Sequence, residues 1–258
     1  MRRSTTAGRV LATIAIIGSV VLSGCGNSDT PSADTTPTPA ASANGVEDLS
    51  ANQILDEVST AVGDATSVHV SGEGMSGDQQ VGIDMQMTSS GDAQGTLTLS
   101  GQQVSLIIAD GATYFSADEA FWTSQVGPEV APQLVGKYVE VPANDHSFDN
   151  VASYSAFFDS LLKPEGAISK GDQTDVDGVP TIQLLEAKND GTMYVALEGD
   201  PLPLKVETKD QGSVTLSEWN EPVTVSPPSA TDIVDPSTIA PATPAPSSPA
   251  PVTPVPSS

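Results

Sequence analysis

The stretch QQVGIDMQMTSS, residues 79–90, alternates with a period of two. Val81, Ile83, Met85 and Met87 fall on one side, and Gly82, Asp84, Gln86 and Thr88 on the other. Successive side chains of an extended strand point to opposite faces, so the pattern predicts a strand with one dry and one wet face. The same period continues on both sides of it. Leu97 and Leu99 carry it through GTLTLS, and Val104, Leu106 and Ile108 through QVSLIIAD. Asp110-Gly111 is a tight-turn dipeptide, after which Tyr114 and Phe115 begin a return strand. Residues 137–141 read as a further strand.

Beyond residue 165 the alternation resumes. Asp177-Gly178 separates AISKGDQTDV from VPTIQLLEA, and Asp190-Gly191 leads into TMYVALE with Met193 and Val195 inward. LPLKVETKD, with Leu204 and Val206, passes through Gly212 into SVTLSEW with Leu216. Two helical patches interrupt the strands. Ser50 and Gln53 have capping-box spacing ahead of Ile54, Val58, Ala61, Val62 and Ala65, an apolar stripe at helical intervals. Val151, Tyr154, Phe157, Phe158, Leu161 and Leu162 form a second stripe, stopped by Pro164 and Gly166. Strands before and after helices indicate an α+β class with an antiparallel sheet, and so many meandering strands point to a sheet that curls.

The ends of the chain differ from this body. MRRSTTAGR is cationic and precedes the short apolar run VLATIAIIGSVVL, too short for a membrane span and consistent with a secretory leader over residues 1–24. Leu22, Ser23, Gly24 and Cys25 then resemble the lipobox of bacterial lipoproteins, and Cys25 is the sole cysteine. The resemblance implies that this thiol is acylated and anchors the chain to the cell membrane on its extracytoplasmic face. The alternative is an ordinary leader with a chance cysteine. Residues 25–45 are small and polar, a spacer with nothing to bury. Residues 236–258 hold eight prolines and no charge, a disordered or polyproline II tail, with wall embedding or O-glycosylation as the functional alternative. The body is expected over residues 46–235, without disulfide support.

The formal charge is −24; with the leader's three arginines removed, the lysines and acids leave 6 − 33 = −27. Such a surface excludes nucleic-acid binding and holds a body off anionic headgroups. Several motif-like patterns have plainer explanations. GEGMSG over residues 72–77 fits a dinucleotide fingerprint by letter, but a strand follows where a helix is needed, which leaves turn or bulge glycines. Asp172, Asp175, Asp177 and Gly178 make half of a calcium loop, lacking ligands at Gln173 and Leu184, and a hairpin turn accounts for Asp177-Gly178. His69 alternates with valines in VHV and faces solvent or a polar spot, far along the chain from His146. No nucleophile elbow is present, and no catalytic residue, metal ligand or cofactor site is assigned.

The order of pieces, from lipobox and spacer through ILDEVSTAVGDATSVHVSG, DGATYF, Trp122, SYSAFFDSLL, VDGVPTIQL and PLPLKVE, is similar to the LppX/LprAFG lipoproteins of mycobacteria and related actinobacteria. It spans about residues 49–225. This resemblance implies a strongly curved antiparallel half-barrel, related to the LolA and LolB carriers, with helices packed on its concave side. It also implies a lipid or acylated glycolipid ligand in the cavity between sheet and helices, and no enzymatic activity. The long tail and the small residues Gly82 and Gly95 depart from the pattern. Strand alternation and the helix stripes nominate the cavity lining: Val58 and Val62; Ile83, Met85 and Met87; Leu97 and Leu99; Leu106 and Ile108; Phe157 and Leu161; Met193 and Val195; Leu204 and Val206; and Leu216. Ordinary core packing explains any one of these residues. A carrier would use them together, and an interaction module with a filled core is the alternative. A transporter partner would be unspecified.

Overall fold

The computed structural model describes residues 42–76, 78–142, 148, 153–209 and 212–235. Within them a turn of 3-10 helix at Val46–Asp48 leads into α1 (Ala51–Asp64). The strands β1 (Ser67–Ser76), β2 (Gln79–Thr88), β3 (Ala93–Leu99), β4 (Gln102–Ala109) and β5 (Ala112–Ala117) follow as a meander. Next come α2 (Glu119–Val126), α3 (Ala131–Leu134), β6 (Tyr138–Glu140) and α4 (Tyr154–Leu161). The chain then returns through β7 (Ile168–Val176), β8 (Val179–Glu186), β9 (Gly191–Ala196), β10 (Pro203–Thr208) and β11 (Gly212–Ser217), and ends on β12 (Ile233–Val234).

All twelve strands share one unclosed sheet, in the order β12-β6-β5-β4-β3-β2-β1-β11-β10-β9-β8-β7. Every neighbouring pair is antiparallel except β12 on β6. Register explains why the dry residues meet: Leu216, Val70 and Met85 stand side by side across β11, β1 and β2, as do Val68 and Met87. One core cluster joins α1 and α4 to residues of β1, β2, β3, β4, β8, β9 and β11. Laid flat, strands about 4.8 Å apart could not all reach two helices about 10 Å wide, so the sheet wraps around them. A second cluster packs Trp122, Val130, Ala131 and Leu134 against the inward residues Val104, Ala117 and Val139. The fold is therefore α+β: a strongly curved antiparallel half-barrel with its helices on the concave side.

The predicted hairpins form where the dipeptides stand. Asp110-Gly111 and Asp177-Gly178 both take positive φ at each position, as a two-residue turn between strands of right-handed twist requires. At the head of α1, Gln53 Oε1 accepts from the Ser50 N–H at 3.1 Å and from its hydroxyl at 2.7 Å. Lys170 of β7 donates to the carbonyls of Glu47 and Leu49, at 2.6 and 3.0 Å, and so fastens the turn before α1 to the sheet edge.

The buried Tyr154 hydroxyl donates to Val62 O at 2.8 Å, which ties the start of α4 to the last turn of α1. Burial pushes this phenol up to about 12 from its usual 10.0. The folded protein thus holds the proton more tightly than the unfolded chain does. That stability is whole below the unfolded value near 10 and is lost as pH rises through about 12. Tyr154→Phe is expected to cost about 1 kcal/mol at neutral pH through the lost hydrogen bond. The variant should lose less stability than the parent between pH 10 and 12, measured by urea midpoints across that window.

Candidate functional site

Strand direction divides the half-barrel into two rims. The β1–β2, β3–β4, β8–β9 and β10–β11 connections lie on one; the β2–β3, β4–β5, β7–β8 and β9–β10 connections lie on the other. At the second rim the concave space is solid. Val58, Val62, Met85, Met87, Leu106, Val195 and Leu216 are buried in one cluster, with Ile108 half-buried against it. Phe158 stacks at a tilt between Tyr154 (4.8 Å) and Trp219 (5.5 Å), and Trp219 Nε1 donates to Pro203 O at 3.1 Å. This aromatic plug closes that end.

The first rim is open. Two adjoining recesses lie there on either side of α4, and Phe157, Leu161, Val206 and Thr208 border both. One, of about 510 Å³, is walled by Val81, Ile83, Leu97, Leu99, Val206, Val214 and Phe148 over a floor of Gly72, Gly74 and Gly212. The other, of about 480 Å³, places Leu55, Leu184 and Met193 beneath a polar edge of Ser160, Lys163, Glu165, Glu186, Asn189 and Thr192. Both volumes lie in the range of small-molecule sites, about 300–1,000 Å³. Lys188 Nζ hydrogen-bonds Glu165 at 2.8 Å; this holds the carboxyl below its usual range and raises the ammonium.

The floor is the consequence of glycines at inward positions. Gly72 stands opposite Ile83 on β2 and Val214 on β11, in the row where every neighbour carries a side chain. Gly74 faces Val81 and Gly212. Strand alternation thus reaches the rim, but without side chains to fill it. Gly72 and Gly74, read as turn or bulge glycines, belong to the interior of β1, so that expectation is corrected. Gly77 lies outside the described residues.

Of the nominated lining residues, Ile83, Leu97, Leu99, Phe157, Leu161 and Val206 meet at the larger recess, and Met193 at the other. Leu204 joins neither recess nor the core cluster. The β9–β10 register slips between Pro203 and Lys205; Pro203 opposes the inward Val195, and Leu204 is carried out of the row. Unforeseen contributors are Gly212, Val214, Leu55 and Phe148.

His69 lies on the convex face, with Nε2 2.8 Å from Asp84 Oδ1 and Nδ1 3.5 Å from Ser217 Oγ. The serine contact is at the limit of a hydrogen bond and the carboxylate is 72% exposed, so this row is a surface polar ladder rather than a preorganised nucleophile. Among the described residues no group of three or more acids, histidines or cysteines is placed to hold a metal ion. No helix among them is long and apolar enough to cross a membrane. Residues 1–24, Cys25, His146, Val151 and the 236–258 tail lie outside the described residues.

No family model and no curated protein matches the chain. Solved structures do resemble it. LprF from Mycobacterium bovis aligns over 73% of this chain and 99% of its own, at 15% identity and a TM-score of 0.49. Lipoprotein LppX from Mycobacterium tuberculosis aligns over 68% and 99%, at 17% identity and a TM-score of 0.44. An uncharacterized conserved protein from Thermus thermophilus aligns over 71% and 98%, at 11% identity and a TM-score of 0.36. LprF and LppX bear the names of the lipoprotein group that the order of sequence pieces resembles.

Proposed function

We propose that this chain is a lipid-anchored, extracytoplasmic lipoprotein that carries an amphiphilic envelope lipid or glycolipid and performs no catalysis. The observation that supports it most is the glycine-floored apolar recess of about 510 Å³ beside α4. An acyl chain leaving a bilayer for such a recess stays out of water throughout, and each methylene kept buried is worth about 0.8 kcal/mol. The adjoining recess, with hydroxyl, amide and paired charged groups at its edge, suits the polar end of the same molecule. In this reading residues 1–24 are the removed leader, Cys25 carries the acyl groups, residues 25–45 are the spacer, residues 46–235 the carrier body and residues 236–258 the tail. The partners are the membrane, through Cys25, and the carried lipid.

The chain purified from its own host should bring a lipid with it, seen as a discrete mass increment in native mass spectrometry. The emptied protein should take up a fluorescent acyl lipid. Ligand-free protein that also refuses the probe would favour the second reading, an interaction or signalling module. The solid packing of Met85, Met87, Leu106 and Leu216 at the closed rim is the feature that favours that alternative.

A further inference from the structure

The two recesses are not equivalent, and their difference specifies the molecule that would span them. Their common boundary lies between α4 and β10, with Phe157 and Leu161 on the helix side and Val206 and Thr208 on the sheet side. Of these four, Thr208 alone carries a polar side-chain atom. Its cross-strand neighbours are Gly191 on β9, which borders the smaller recess, and Gly212 on β11, which borders the larger. Neither flank has a side chain to cover the Thr208 hydroxyl, which makes no hydrogen bond among the described residues. A half-buried hydroxyl without a partner thus stands where one recess gives way to the other.

The larger recess has room for one chain. A methylene takes up about the space of a water molecule, about 30 Å³, so about 510 Å³ is filled by about seventeen of them. No chain can pass beneath its floor, because the next inward row, Val70 between Met85 and Leu216, is fully buried. A second chain would have to enter the smaller recess. The base of that recess, Leu55, Leu184 and Met193, accepts methylenes, but its edge does not. Lys188 and Glu165 are paired there with 59% and 60% of their side chains open to water. Covering the pair with hydrocarbon strips both ions of that water, which costs more than several methylenes return. Charge at this edge is balanced, Lys163 and Lys188 against Glu165 and Glu186. With the hydroxyls of Ser160 and Thr192 and the amide of Asn189, it offers donors and acceptors to a polar head but no net counter-charge. The strongly acidic body around it repels anions.

We infer that the carried molecule has a single acyl chain and a head of no net charge, and that Thr208 hydrogen-bonds the group joining the two. The chain lies in the larger recess, the head in the smaller, and the junction crosses the boundary beside Leu161 of α4. An ester or ether oxygen at the junction accepts from the Thr208 hydroxyl, and a free hydroxyl of the head donates to it. A two-chain lipid must leave one chain in water or press it onto the Lys188–Glu165 pair. An anionic head meets two carboxylates for every two lysines, and nothing offsets its charge. This selectivity rests on the carrier reading and adds to it the number of chains, the charge of the head and the residue that reads the junction.

The test uses the chain from Gly26 onward, which keeps both core clusters within residues 46–234 and contains no cysteine. It is washed free of lipid with cyclodextrin and titrated with radiolabelled lipids delivered from cyclodextrin, and bound lipid is counted after desalting. Monopalmitoylglycerol and palmitoyl lysophosphatidylcholine should each bind at one molecule per chain. Dipalmitoylglycerol tests the second acyl chain, and palmitoyl lysophosphatidylglycerol tests a net negative charge on the head. Each of these two should bind at least about tenfold more weakly than its counterpart. Thr208→Val, checked for an unchanged melting curve, should weaken monopalmitoylglycerol about fivefold and leave uptake of hexadecane, a chain without a head, unchanged. Thr208→Ser should restore the parent's affinity. Equal binding of the two-chain or the anionic lipid overturns the inference and leaves the carrier reading in place. Equal losses for hexadecane and monopalmitoylglycerol in Thr208→Val overturn the placement of the junction. Refusal of all four lipids overturns the carrier reading, and the inference with it.

Discussion

Replacing Gly72 by valine is expected to unfold the body. A Cβ built there would lie 2.2 Å from Ser213 O and 2.8 Å from Val214 Cα, both backbone atoms of β11. No flexible side chain can swing aside. The clash is reciprocal, since a Cβ on Gly212, at φ +102°, would lie 2.2 Å from Glu73 O. Relief requires prying β1 from β11 at the centre of the sheet. A cost above about 4 kcal/mol follows, a large part of a typical total stability of about 5–15 kcal/mol. Urea titration followed by far-ultraviolet circular dichroism checks it. Gly82→Ala is the control: it faces outward, and its nearest neighbour is the Thr98 Cβ at 3.3 Å, so it should change stability by less than about 1 kcal/mol. Gly63→Ala, in open space within α1, should stabilise by about 0.5–1 kcal/mol.

Ile83→Phe combined with Val214→Phe is expected to abolish most lipid uptake while leaving the fold intact. These two residues flank Gly72 on neighbouring strands and line the larger recess. Two rings there would occupy the volume that the glycine leaves free. Excluding three or four methylenes of a ligand at about 0.8 kcal/mol each weakens binding roughly a hundredfold. Titration with a fluorescent acyl lipid reads this directly, and a thermal melt confirms that the double variant is folded. Undiminished uptake would remove the recess as the lipid site.

Local pattern carried much of this architecture. Period-two alternation located the strands around residues 79–108 and 179–216, because a half-buried sheet face imposes it residue by residue. The Asp-Gly turns and the Ser50/Gln53 cap were equally local. The helix α2 was not legible, since Phe121, Trp122 and Val126 make no single helical stripe; its burial is set by a cluster assembled from β4, β5 and β6. Nor could alternation tell which inward residues fill space and which border it. Met85 and Ile83 are two positions apart on one strand, yet the first is fully buried within the core cluster and the second is half-buried at its edge, beside the larger recess. That difference depends on where distant helices end. Leu204 fails for a related reason, since a register slip depends on the partner strand.

The junction of β1 with β11 sets a condition on the order of events in folding. Ser217 and His69, 148 positions apart, must be brought together before the two halves of the sheet become one. A nascent or threaded chain cannot complete this seam until almost all of the body has emerged. Closing so long a loop is slow, and topologies dominated by distant pairings gather in milliseconds to seconds rather than microseconds. The two halves of the sheet therefore join late, once β11 at the far end of the body is available to β1.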